Sequence, residues 1–163
     1  MNGDFVKWFV AERGRALAMV LLTRRDDLVV KETREENALD LTVCIKTRED
    51  ARNRSFGVYL EAAMTPVLPD VADKQLKPVL RKVQSIGPFR FPVCVFYFTV
   101  KDDQGYYAWA YEPVVTAQGQ PGLRAHQRAH CRKLNNESLE EIVAAVQRWY
   151  DAFDATVLLH ASG

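Results

Sequence analysis

Two acidic residues, Asp40 and Glu61, lie in stretches whose patterning could put them to chemical use. Each stretch alternates apolar and polar residues with period 2, the mark of a β-strand with one buried face. In Leu39 to Lys46, the apolar row is Leu39, Leu41, Val43 and Ile45, and the other row is Asp40, Thr42, Cys44 and Lys46. In Ser55 to Ala62, Phe56, Val58, Leu60 and Ala62 face one way, and Gly57, Tyr59 and Glu61 the other. Paired strands of this kind put two carboxylates on one side of a sheet. Carboxylates so placed can hold a divalent metal beside a phosphodiester, the outline of a metal-dependent nuclease site. A third acid, Glu12, interrupts an apolar helical stripe made by Phe5, Trp8, Phe9, Ala16, Met19 and Val20. A carboxylate on a core-facing stripe is costly unless it is paired, bound to metal or near water. Glu12 can equally sit at the edge of the stripe and reach solvent or pair with Arg15 or Arg24, and its position alone favours that use.

A second chemical pattern lies near the C-terminus. Arg124, His126, Arg128, His130 and Arg132 occupy alternate positions. On a strand they form one basic face suited to phosphate contacts. Solvated outer strands also carry such charges, which block edge-to-edge pairing, and this is the commoner use. Metal binding by His126 and His130 would need carboxylate or thiolate partners that the local sequence does not supply.

The elements that must position these residues follow from periodicity and turn chemistry. Residues 4 to 24 read as one helix, with Asp4 at its start and Arg24 and Arg25 at its end. Leu28 to Glu32 is a short strand. Thr33 to Asn37 and Asp50 to Arg54 are polar turns, so the three strands form a meander. Pro66 and Pro69 mark a loop. A helix follows to about Ser85, capped by Asp70 or Asp73, and Pro78 inside it predicts a kink or late start near Lys77. Residues 91 to 100 are almost wholly apolar and read as a central strand buried on both faces. Tyr106 to Tyr111 returns antiparallel, residues 113 to 122 form a loop, and Leu123 to Leu134 is the basic strand. Ser138 and Glu141, in capping-box spacing, open a last helix over 138 to 153. Residues 155 to 163 are undecided.

Composition bounds the class. The chain has 163 residues, 48% of them hydrophobic and 26% charged, which suggests one globular domain over 1–163. Its core spans about 4–112, followed by the basic strand and the C-terminal helix over 123–153. The net charge of +1 gives no global basic signal, so any affinity for nucleic acid must be local. Cys44, Cys94 and Cys131 are far apart and odd in number, which points to a reducing, cytoplasmic compartment without a structural zinc site. Ala16 to Leu22 is too short to span a bilayer and no cleavage-site pattern follows it, so neither a membrane partner nor a signal peptide is expected.

The order helix, three-stranded meander, helix, strand, strand resembles the restriction-endonuclease-like fold of the PD-(D/E)XK superfamily. Within it the chain is similar to a bacterial family of uncharacterised nuclease-like domains. In that resemblance Glu12 matches a helix acid. Glu36-Asn37-Ala38-Leu39-Asp40 matches the acidic segment of the second strand, with Ala38 in place of Gly, and Phe56 to Glu61 aligns with the third strand. Pro92 to Val100 and Tyr106 to Trp109 match later strands. The resemblance implies an α/β fold, a mixed sheet flanked by helices in the order α-β-β-β-α-β-β. It also implies a metal site, and any Mg²⁺ held here by Asp40, Glu61 and Glu12 is expected to be weakly bound or absent.

Departures from that pattern shape the functional expectation. The resembling nucleases carry an acid or Gln and then a Lys, two residues apart on the third strand. This chain has Tyr59 and Glu61 there. Tyr59 is a poor ligand for a hard cation, and Glu61 replaces a positive charge with a negative one. Two carboxylates about 5 Å apart repel by roughly 3 kcal/mol at an effective dielectric of about 20. Three readings follow. The first is a pseudonuclease with a vestigial site at Glu12, Asp40, Tyr59 and Glu61, which binds DNA, RNA or a protein but has lost hydrolysis. The second is an active Mg²⁺-dependent nuclease with a migrated lysine, for which Lys74 and Lys77 are candidates and Lys46 a poor one. The third is an interaction subunit, as a homodimer or in a bacterial assembly of the genome-defence kind.

Overall fold

The computed structural model describes residues 3–33, 39–47 and 53–162. The two expected turns, 33–37 and 50–54, lie largely outside the described residues, as do Glu36, Asn37 and Ala38 of the acidic segment. Strands β1 (Leu28–Glu32), β2 (Leu41–Ile45) and β3 (Arg54–Ala63) form the expected antiparallel meander. Helix α2 (Pro69–Ile86) then carries the chain over to β4 (Val93–Thr99), which runs parallel to β3. β5 (Gln104–Val115) returns antiparallel to β4. Two short strands cover its outer edge, β6 (Pro121–Ala125) at one end and β7 (Arg132–Leu134) at the other. The remaining helices are α1 (Gly3–Thr23) and α3 (Asn136–Ala161). Among the described residues this is an α/β architecture, a mixed sheet of seven strands ordered β1-β2-β3-β4-β5-β6 with β7 also on β5, flanked by three helices. None of those helices is long and apolar enough to cross a membrane.

All seven residues of β4 are buried, as its apolar run requires, and they feed two cores. Cys94, Phe96 and Phe98 join Phe56, Val58, Leu41 and Val43 beneath α1 and α3. Val93, Val95 and Tyr97 pack with Leu76, Leu80 and Val83 of α2 on the opposite face. Each such side chain contributes about 1.5–3 kcal/mol on full burial, so the cores fix the sheet and the helices beside it.

Several expectations are corrected. The buried stripe of α1 is Val10, Gly14, Ala18 and Leu22. The aromatic row faces outward instead, with Phe5 56%, Trp8 60%, Phe9 46% and Val20 52% exposed. The cause is close approach. A Cβ on Gly14 would lie 2.8 Å from the Cβ of Ala62, so only a seam of small residues lets α1 lie this near β3. Helix α2 opens with Leu68 as its N-cap and a proline in its first turn, and neither Asp70 nor Asp73 caps it. It also runs through Pro78, held down by Leu76, Leu80 and Val83. Helix α3 is capped by Asn135, whose side chain accepts from the Ser138 amide while Ser138 Oγ accepts from the Asn135 amide. It absorbs most of the undecided tail. The expected loop at 113–122 is a hairpin between β5 and β6, closed by the turn Thr116 to Gln120 with Gly119 at φ +80°.

Candidate functional site

Asp40 sits at a bend immediately before β2. Leu39 belongs to the α2-side core and Leu41 to the core under α1 and α3, so the strict alternation read from the sequence breaks at Asp40. Leu39 lies over Gly57, where a Cβ would collide with it. The bend leaves the far half of β3 without a β2 partner, since the pairing of these strands ends at Leu41 and Val58. Asp40 closes part of that gap, its Oδ2 accepting the Leu60 amide at 2.7 Å. Between α1 and this half of β3 lies a cleft of about 370 Å³, lined by residues that include Val10, Gly14, Arg15, Asp40, Leu60 and Glu61.

The helix residue that meets Asp40 is Arg15. Its Nη2 lies 3.5 Å from Asp40 Oδ1, and its Nη1 lies 3.9 Å from Glu32 Oε1. Nη1 is a buried atom with no hydrogen bond among the described residues. Glu12 is exposed and does not line the cleft. It is two residues from Val10 and from Gly14, which puts it about 160° round the helix from that buried seam. The structure thus brings Asp40 and Glu61 to one cleft, leaves Glu12 outside it, and places a guanidinium over Asp40.

A second cation approaches from the other face. Lys82 Nζ lies over the Tyr59 ring, 5.6 Å from its centroid. The Lys82 ammonium is pushed above its ordinary value, first by its interaction with the Tyr59 side chain and then by the charges of Glu61 and Asp40. Burial raises the carboxyl of Asp40, opposed by the Leu60 amide, Arg15 and Lys82. Burial also raises Glu61, opposed chiefly by Lys82, and Asp40 pushes it further up. Lys74 and Lys77 are exposed elsewhere on α2. Lys82 stands about 140° round the helix from Lys77, on the opposite flank of the stripe Leu76, Leu80 and Val83. That flank faces β3, which helical spacing alone does not reveal.

A Mg²⁺ ion in this cleft would have to compete for Asp40. Such an ion takes one or two carboxylates with waters and phosphate oxygens in near-octahedral geometry. Asp40 has one oxygen on a backbone amide and the other facing a guanidinium.

The alternating basic row is not one face. Arg124 lies on β6 and Arg132 on β7, and residues 126–131 leave the sheet between them. His126 Nε2 lies 2.6 Å from Glu112 Oε2, and its ring meets His130 edge-on at 6.3 Å between centroids. With Tyr107, Trp109 and Arg132 they line a small hollow of about 110 Å³. Arg128 instead reaches the side of α2. A strand reading fails because Ala129 is buried in the α2-side core, which pulls the segment off the edge of β5.

Compared with protein-family models, with curated proteins and with solved structures, the chain matches none.

Proposed function

We propose that the chain is a restriction-endonuclease-like domain that binds nucleic acid without hydrolysing it, in the reducing, cytoplasmic compartment that its free cysteines suit. The observation that carries this reading is Arg15 over Asp40. A nuclease of this kind leaves its strand acid free for metal and supplies a cation to the phosphate. Here the cation on α1 is directed at the acid itself. Glu61, at the position where the resembling enzymes place a lysine, adds negative charge beside it. Hydrolysis then lacks the charge pattern it needs, while the sheet and helices that would present a binding surface remain.

One observation favours a second reading. Lys82 sits within electrostatic reach of Asp40 and Glu61, as a migrated catalytic lysine would. A working nuclease built on Lys82 would also require Arg15 to release Asp40. The two readings separate in one experiment. Labelled duplex and single-stranded DNA and RNA are titrated with the protein in EDTA and in Mg²⁺, and the same samples are run on a denaturing gel. The proposal expects salt-sensitive binding that does not need metal, with the strands intact. Strand cleavage in Mg²⁺ that is lost in Lys82→Ala would establish the second reading. Absence of binding to every strand would overturn the first.

A further inference from the structure

The α2 face carries a second hollow, of about 450 Å³, lined by Lys77, Arg81, Gln84, Gln127 and Arg128. We propose that Lys77, Arg81 and Arg128 form a seat for the phosphate backbone of a nucleic acid, separate from the Asp40–Glu61 cleft. The inference rests on the nucleic-acid-binding reading and names the surface that performs it.

The three cations make no direct ion pair among the described residues. Among the described residues none of them has a carboxylate within ion-pair distance. Lys77 and Arg81 stand four apart on α2, a spacing at which like charges destabilise a helix. Asp73, one turn before Lys77, has its Oδ1 committed to the Cys131 amide at 2.8 Å. An anion in the hollow would relieve this repulsion.

The seat is also held in place. Gln84 Nε2 donates to the His126 carbonyl at 2.6 Å, and Asp73 holds the amide of Cys131. Ala129, between these ties, is 4% exposed and packed in the α2-side core. The segment bearing Gln127 and Arg128 is therefore clamped at both ends and anchored in the middle. Arg128 is presented to α2 without the ordering cost that a loose loop would add on binding.

The lining chooses the partner. All five residues are polar, and none offers the buried aromatic or aliphatic anchor on which protein interfaces depend. A phosphodiester backbone needs only charge and hydrogen-bond donors, which guanidinium, ammonium and amide groups supply. The hollow lies on the opposite flank of α2 from Lys82, so occupancy does not require the Asp40–Glu61 cleft to open.

The test is the salt dependence of binding to fluorescein-labelled duplex DNA and single-stranded DNA and RNA. The full chain is compared with a variant carrying Lys77→Gln, Arg81→Gln and Arg128→Gln. A control carries Arg24→Gln, Lys31→Gln and Arg148→Gln, three exposed cations elsewhere. Thermal melts confirm that each variant is folded, and Arg128→Glu alone serves if the triple variant is not. The expected result is a loss of about tenfold or more in affinity at low salt. The slope of log K against log salt should fall by up to about three units on duplex, with the control close to the unmodified chain. Unchanged affinity and slope in the seat variant would overturn the inference and leave the binding reading intact. Equal losses in both variants would also overturn it, because only net charge would matter. An unmodified chain that binds none of the strands would remove the reading and the inference together.

Discussion

Arg15 and Lys82 approach the two acids from opposite faces of the sheet, and the consequences can be measured one side chain at a time. Arg15 and Asp40 are 22% and 26% exposed, between the surface pairs that contribute little and the buried pairs whose disruption is severe. Arg15→Gln is expected to cost about 1–3 kcal/mol at neutral pH, because Asp40 stays desolvated without its partner. Urea denaturation checks it, and a cycle with Asp40→Asn should show coupling between the sites. Glu61 behaves differently. Burial raises its carboxyl, so the folded state holds a proton where the unfolded chain has released it. The stability this contributes is complete below the ordinary carboxylate value and is lost as pH rises through the raised folded value. Glu61→Gln should therefore be more stable than the unmodified protein at neutral pH, by less than about 1 kcal/mol, and should flatten the fall in stability through the mildly acidic range. Melting temperatures across that range test this, and a less stable Gln variant at neutral pH would show that ionised Glu61 is held favourably.

At the scale of elements, α1 decides what reaches the cleft. Gly14 allows the helix to seat against Ala62, and that seating brings Arg15 to Asp40. Gly14→Val should push the helix off the sheet at a cost of about 1–3 kcal/mol from overpacking, whereas Trp8→Ser, on the exposed face, should stay within about 0.5 kcal/mol. Equal losses in the two variants, read by denaturant midpoints, would contradict this placement of the helix. The same comparison explains what was legible in the sequence. The period-2 rows of residues 39–46 and 55–62 and the apolar run at 91–100 give strands with strong signals, because large β-branched and aromatic residues mark buried faces. The seam of α1 is built from Gly14 and Ala18, which carry almost no hydrophobic signal, so the row of Phe5, Trp8 and Phe9 outweighed it and drew Glu12 into the expected site. Asp40 and Glu61 were legible because each lies next to a clear strand pattern. Arg15 was not, since nothing local shows that its helix face meets an acid on another element.

For the molecule as a whole, two charged regions bear on function and lie apart. One is the Asp40–Glu61 cleft, offset by Arg15 and Lys82. The other is the cluster of Lys77, Arg81 and Arg128 on the flank of α2, which makes no direct ion pair among the described residues. Alternation along 124–132 suggested a single basic edge. Burial of Ala129 breaks that edge and delivers Arg128 to α2, a long-range outcome that no local spacing encodes. The central claim, that the fold binds without cutting, predicts that Mg²⁺ is not a resident ligand. A saturating bound metal would raise the melting temperature by mass action, and none of that rise is expected here in Mg²⁺ against EDTA. The most direct test is nicking of supercoiled plasmid by the unmodified protein in Mg²⁺ and in Mn²⁺, beside Asp40→Ala. The expected result is no metal-dependent nicking above the level of that variant, and robust nicking abolished by Asp40→Ala would contradict the account.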